Sequence, residues 1–485
     1  MPPGLGPEGD ALDYRIPLIQ YAIRHLHYPN LNFTYVDDYP TLIEIMMYFL
    51  YQITHWAPRI TTVSGYVFFC LGSHKLLQQY ISKQTALAAA VVISTMNLIT
   101  TQDNLLMIDL TASAFLIWSF YYQIQLQKKQ GKRYLILAAI TAGAAIATRY
   151  SQVLMLLGAV VLFTYFSKNK KRTIKNNLII LMGAGIILSP WLIRNTVINS
   201  NPLFPLLTNV FPSPNMTPDR YLEILNGLRS FGLGQSITDF LLLPIRFAFH
   251  KTAFDYSVGP HILFFMPWIL AFVGYIYLKK GEYEKLFPAT MGFALTLIWF
   301  MGTRQARFLI PAIPFIIIAG MQGYELMQKF FIQKATKITL TAVIIAIGIA
   351  GTAKHIHKHK TEFLDEIDMM RGREASRSLF IPQKDIAHWL NQNVKEGEKV
   401  LLYERTGNLS EINRDFVFAY PHFYATSVFD YRNDNVSKQT FHERCVQENV
   451  RYVYFVSQVK SYGLDLNQIE KVFTGAQGGV IYLIH

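Results

Sequence analysis

The chain has 485 residues, of which 51% are hydrophobic, 14% aromatic and only 16% charged. A soluble domain carries about 25% charge, so an ordinary soluble protein is excluded and a membrane protein is indicated. The formal net charge of +13 is scattered in short clusters between apolar runs, which marks membrane topology and not a nucleic-acid face.

The first 58 residues read as an acidic loop. Glu8, Asp10 and Asp13 lie in P-E-G-D-A-L-D-Y, which ends at Tyr14. An amphipathic segment follows at 15–28, then Asp37 and Asp38, then Y-P-T-L-I-E ending at Glu44. The chain opens without the basic and apolar regions of a cleavable signal peptide. Residues 41–56 are apolar enough for a short helix lying in the outer interface, with Tyr48, Tyr51 and Trp56 as interfacial aromatics.

Apolar runs of spanning or near-spanning length occur at 60–81, 84–101, 105–126, 133–148, 150–167, 176–193, 259–278, 285–301, 306–327 and 335–353. Lysine and arginine gather in alternate connections, around Lys83, Lys128–Arg133, Lys168–Lys175, Lys279–Lys285 and Lys329–Lys334. By the positive-inside rule these are cytoplasmic. The first loop, the long loop 194–258 and everything beyond 353 are then extracytoplasmic. An outside N-terminus without a signal peptide is expected to follow a membrane helix upstream of this chain.

Pro and Asn in the long loop mark turns between short helices. Residues 354–380 read as a polar linker, in which His355, His357 and His359 are solvated and not a metal site. From 381 to 485, helical D-I-A-H-W-L-N-Q-N-V precedes strand K-V-L-L-Y, helical T-F-H-E-R-C-V-Q-E-N precedes strand R-Y-V-Y-F-V, and G-V-I-Y-L-I closes the chain. That order predicts a small α/β domain with a partly parallel sheet. The fold expected is an all-α polytopic bundle of about ten spans over 59–353, with this soluble domain at its end. Cys70 and Cys445 stand far apart, giving no disulfide framework and no thiolate zinc site.

With this sidedness, carboxylates and arginines collect at one membrane face. Asp10, Asp13, Asp37, Asp38 and Glu44 come from the first loop, and Asp103 and Asp109 from the start of the third span. Arg149 lies in A-T-R-Y-S, Arg194 in P-W-L-I-R-N, and Arg304 and Arg307 in R-Q-A-R. Arginine suits phosphate because its planar fork gives two charge-assisted hydrogen bonds. An arginine at a helix end also snorkels to the interface, and Asp109 could serve only the dipole of its helix. Arg304 and Arg307 run against the positive-inside bias, which favours function.

Four stretches carry a resemblance. G-D-A-L-D-Y with Y-P-T-L-I-E, I-D-L-T-A-S-A-F, P-W-L-I-R-N with N-P-L-F-P, and R-F-L-I-P-A-I-P together resemble the polytopic glycosyltransferases of the GT-C fold. The branch is that of the protein O-mannosyltransferase-like, aminoarabinose-transferase-like and rhizobial sugar-transferase-like membrane proteins. The resemblance covers residues 7–327. It implies a sugar donor on a polyprenyl phosphate, a catalytic aspartate at Asp10 with Asp13 as alternate, and a second acidic position at Asp109. Arg149 stands where many members have lysine, and Asn201 follows Ser200 where they have glycine.

The expectation is a multi-pass enzyme of a bacterial cytoplasmic membrane, with its C-terminal domain outside. It would move a sugar to a hydroxyl of a glycan, lipid or protein acceptor. Asp10, Asp13 and Asp109 would be catalytic. Arg149, Arg194, Arg304, Arg307, Tyr14 and Glu44 would contact substrate, and a divalent cation would sit near Asp109 if one is used. No nucleic acid is expected, and membrane lipids are the other partner. The rival is a lipid or glycolipid transporter or flippase, whose ionisable residues would line a pathway instead of crowding one face.

Overall fold

A computed structural model describes residues 19, 22–23, 39–54, 57–104, 108–214, 216, 218–250, 253–255, 258–259, 261–279, 282–331, 384–402, 412, 414–418, 438–455, 469–476 and 478–485. The chain divides into two compact units. One draws on Met1–Arg59, Trp191–Glu223 and Thr361–His485, the other on Ile60–Pro190 and Ile224–Lys360.

The helices follow the apolar runs in order: α1 Leu42–Tyr51, α2 Ala57–Leu77, α3 Lys83–Thr95, α4 Asn97–Asn104, α5 Ile108–Lys129, α6 Lys132–Thr148, α7 Ser151–Tyr165 and α8 Lys170–Asn199. In the long loop come α9 Pro218–Arg229, α10 Ile237–Leu241 and α11 Leu243–Phe249. Then follow α12 His261–Lys279, α13 Phe287–Met301, a 3-10 turn over Ala306–Ala312, and α14 Ile313–Phe331. The run at 335–353 and the linker 354–380 lie outside the described residues.

Two runs depart from a single helix. The run expected at 84–101 breaks at Met96, whose backbone is extended. Just before it, the hydroxyls of Ser94 and Thr95 each donate to the Val91 carbonyl at 2.9 Å, competing with the helical ladder. The run at 306–327 opens as a 3-10 turn, because Pro311 and Pro314 supply no N–H.

Among the described residues three helical segments are long and apolar enough to cross a membrane: Lys170–Asn199, His261–Lys279 and Ala306–Gln328. The last is 78% buried against 22% for each of the others, which makes it the central helix of the unit built from Ile60–Pro190 and Ile224–Lys360. It packs against α12 and α13, and α5 packs against α6. The approach of α12 to α14 depends on a missing side chain. A Cβ on Gly323 would lie 1.9 Å from the Trp268 carbonyl oxygen, so the backbones meet as small residues allow in membrane bundles.

In the other unit, residues 384–485 build a five-stranded mixed sheet of order β2-β1-β3-β5-β4. Here α15 is Lys384–Asn393, β1 Lys399–Leu402, β2 Asp415–Phe418, α16 Lys438–Gln447, β3 Val450–Phe455, β4 Ile469–Thr474 and β5 Val480–Ile484. β1 runs parallel to β2 and β3, while β5 is antiparallel to β3 and β4. Ile386 and Leu390 of α15 bury against Val400, Leu402, Tyr454 and Ile481. The sequence signals β1, β3 and β5. β2 is only four residues long, and β4 carries Glu470 and Lys471 on exposed positions, so neither offers a continuous apolar run.

Candidate active site

The second residue of α5, Asp109, is fully buried. Arg149 ends α6, its extended backbone turning the chain into α7 within two residues. That corner brings Arg149 Nε to 2.9 Å from Asp109 Oδ1, with the arginine side chain 20% exposed. Neither carboxylate oxygen of Asp109 accepts an aligned hydrogen bond among the described residues. The aspartate therefore holds its arginine by charge and keeps acceptor capacity.

The 3-10 turn after α13 supplies the second arginine. Arg307 Nε lies 3.6 Å from Asp255 Oδ2, and its Nη2 donates to Gln305 Oε1 at 3.3 Å. Phe308 joins the two halves. Its ring centroid is 4.9 Å from Arg149 Cζ and 5.4 Å from Arg307 Cζ, so two guanidinium groups converge on one aromatic ring. Each is balanced by a carboxylate from a different part of the chain. Such a pair offers planar donors for a doubly charged oxyanion, with the local charge already offset when the site is empty.

Arg304 is adjacent in sequence but differently placed. It is 3% exposed, with φ of 53°, and its guanidinium donates to the carbonyls of Arg229 and Gly234. Nearby, Gly232 N–H donates to Ala253 O at 2.6 Å and Ala306 N–H to Phe254 O at 2.8 Å. Trp299 Nε1–H donates to Gln305 O at 2.6 Å. Phe247, Phe254 and Trp299 pack as an aromatic cluster at 5.0–5.9 Å. Arg304 thus fastens the long loop to the corner that carries Arg307, a job of position and not of exposed charge.

Glu44 and Arg194 belong to the other unit. Glu44 is buried on α1, and Arg194 Nη1 donates to Asn195 Oδ1 at 3.2 Å. In the same unit Trp191 Nε1–H donates to Thr41 Oγ1 at 3.2 Å, tying P-W-L-I-R-N to the end of the first loop. Asn201 accepts from Leu203 N–H and donates to Leu206 O, both at 2.9 Å, which shapes N-P-L-F-P into a tight turn. Asp10, Asp13, Tyr14, Asp37 and Asp38 lie outside the described residues, as does the side chain of Asp103.

Asp255 and Phe308 are absent from the sequence reading. Asp255 stands in a loop with no motif around it, whereas Phe308 directly follows an arginine already singled out. Among the described residues no group of three or more His, Cys, Asp or Glu side chains converges as a metal site. Burial pushes the Cys445 thiol up to about 12, so it carries no thiolate chemistry.

Residues 39–193 match the family model described as dolichyl-phosphate-mannose-protein mannosyltransferase. The structure is similar to ArnT from Cupriavidus metallidurans bound to undecaprenyl phosphate. The TM-score is 0.59 at 11% identity, over 99% of this chain and 94% of that one. The chain has the GT-C glycosyltransferase fold. It is also similar to the archaeal oligosaccharyltransferase AglB from Archaeoglobus fulgidus, solved with an inhibitory peptide and a dolichol-phosphate. There the TM-score is 0.52 at 14% identity, over 93% of this chain and 65% of that one. A form of the arabinofuranosyltransferase AftD from mycobacteria gives 0.53 at 12% identity, over 99% of this chain but 40% of that one. No curated protein matches by sequence. The GT-C fold makes this a multi-pass membrane protein, mostly helical, with a small mixed sheet near its end.

Proposed function

We propose that this GT-C protein transfers a sugar from a polyprenyl-phosphate donor to an acceptor hydroxyl at the extracytoplasmic face. The observation that carries the reading is the convergence of Arg149 and Arg307 on Phe308, each arginine backed by a carboxylate. A lipid phosphate is the ligand that such a pair fits at bilayer depth. The solved relatives support it, since ArnT holds undecaprenyl phosphate and AglB a dolichol-phosphate.

In the reaction, Asp10, with Asp13 as alternate, takes the proton from the acceptor hydroxyl as its oxygen bonds to the anomeric carbon. The bond from that carbon to the phosphate oxygen breaks, and polyprenyl phosphate leaves with inversion. Arg149 and Arg307 stabilise the charge that grows on the leaving phosphate. Asp109 orients Arg149 and keeps its second oxygen for the acceptor, the base or a divalent cation. Arg304 holds the long loop in place. Arg194, Glu44 and Tyr14 are assigned to acceptor or donor contacts. The C-terminal sheet lies outside the membrane.

The test is incubation of the reconstituted protein with labelled polyprenyl-phosphate sugars and a panel of hydroxyl acceptors. Labelled acceptor appearing together with free polyprenyl phosphate supports transfer. Lipid crossing the bilayer without a new glycosidic bond would replace this reading by a flippase.

A further inference from the structure

The middle of the long loop carries an apolar stripe that transfer chemistry does not use. Ile237, Leu241, Ile245 and Phe249 recur every fourth residue along α10 and α11 and are 78%, 69%, 47% and 72% exposed. Four-residue spacing keeps them on one slowly winding face of a helical pair. The opposite face holds the buried Leu243 and Phe247, and Phe247 packs on Phe254 and Trp299.

The charges of this segment are closed on themselves. Between Ser236 and Phe249 the only ionic residues are Asp239 and Arg246, paired at 2.6 Å. Ser236 caps α10 through a reciprocal box with Asp239, which satisfies the backbone N–H groups of both residues. Arg246 also donates to the Leu233 carbonyl at 2.6 Å. Nothing ionic is left on the outer face.

Its neighbour fixes the depth. The Phe240 ring lies 5.5 Å from that of Phe293 and 5.2 Å from that of Phe300, both on α13. Those two positions are separated by roughly 10 Å along a helix rising 1.5 Å per residue. Hence α10 reaches down the side of a bundle helix and does not stand above it. On α13 itself Phe293, Leu297 and Met301 form an exposed apolar stripe, of the kind that faces lipid. The α10–α11 stripe continues that surface.

We propose that α10 and α11 lie in the leaflet at the end of the bundle that carries Arg307, with Ile237, Leu241, Ile245 and Phe249 among lipid acyl chains. The occupant of this face is the bilayer. The centre of the long loop is then an interfacial anchor, and Arg304 ties that anchor to the arginine corner.

The test places single cysteines in the full chain with Cys70→Ala and Cys445→Ala as background, reconstituted in phosphatidylcholine vesicles. Leu241→Cys and Phe249→Cys are labelled with bimane, and Ser230→Cys serves as the polar comparison. With a nitroxide on the lipid acyl chain, the labels at 241 and 249 lose most of their emission, while iodide in the buffer quenches only the label at 230. Ready quenching of 241 and 249 by iodide would overturn the proposal. So would protection of both from either quencher, because the face would then be covered by protein.

Discussion

Arg149 Nε lies 2.9 Å from Oδ1 of Asp109, a carboxylate that is fully buried while its partner is 20% exposed. The unequal burial decides what each does. Water cannot screen or solvate the aspartate, so it depends on the arginine. The arginine, partly open, can add a second anion on its free side.

Arg149→Ala should therefore both unfold and inactivate. Removing one partner of a buried ion pair costs about 3–5 kcal/mol, because the other charge is left uncompensated. The double variant Asp109→Asn with Arg149→Ala should recover much of the thermal stability without recovering transfer. Melting of the purified protein and turnover, measured on all three, check this. Recovery of transfer together with stability would make the pair structural only.

Arg307→Ala should weaken donor use far more than Lys171→Ala. Loss of one charge-assisted contact to the leaving phosphate corresponds to about 2–4 kcal/mol of transition-state stabilisation. Rates at saturating and limiting donor separate that loss from weaker binding. Equal and small effects of the two substitutions would count against an arginine pair.

Arg304→Lys should behave differently again. A lysine keeps the charge but cannot reach the Arg229 and Gly234 carbonyls with one planar group. Protease cutting within 229–253 should rise, and Arg304→Lys should lower transfer through the loop. A variant with normal transfer and an unchanged cutting pattern would remove the bracing role.

Much of this was legible in the sequence. Apolar run length located nearly every described helix of the bundle, because membrane burial demands it locally. The breaks at Met96 and before Ile313 were less visible, since they arise from hydroxyl back-bonding and from two prolines inside otherwise apolar runs. The arginines stand out in the sequence by their expected sidedness. Their use was not: Arg304 and Arg307 are three apart, yet one faces backbone carbonyls and the other Asp255. That difference comes from a left-handed backbone at Arg304 and from a loop distant in sequence, neither of which a motif encodes. Asp255 was missed for the same reason.

Asp239 gives a pH test of the loop. Hydrogen bonds from the Ser236 side chain and backbone, then Arg246, hold its carboxyl down to about 2. A folded value below the unfolded one, about 3.9, stabilises the loop fully above the unfolded value. That contribution disappears as pH falls through about 2. Asp239→Asn should accordingly loosen 229–253 to protease at neutral pH and differ little from the parent chain near the acid limit, read with an acid-tolerant protease. A gap between the two that widened on acidification would contradict the assignment.

The most direct measurement of the whole account is transfer by Asp10→Asn in the reconstituted protein, with a labelled polyprenyl-phosphate sugar and an acceptor that the parent chain uses. Asparagine keeps the shape and hydrogen bonding but cannot accept the proton. Donor binding should survive while transfer falls by about 10²–10⁴-fold, with Asp13→Asn doing less. Parent-like turnover by both variants would contradict the account, since the first loop would then not supply the base.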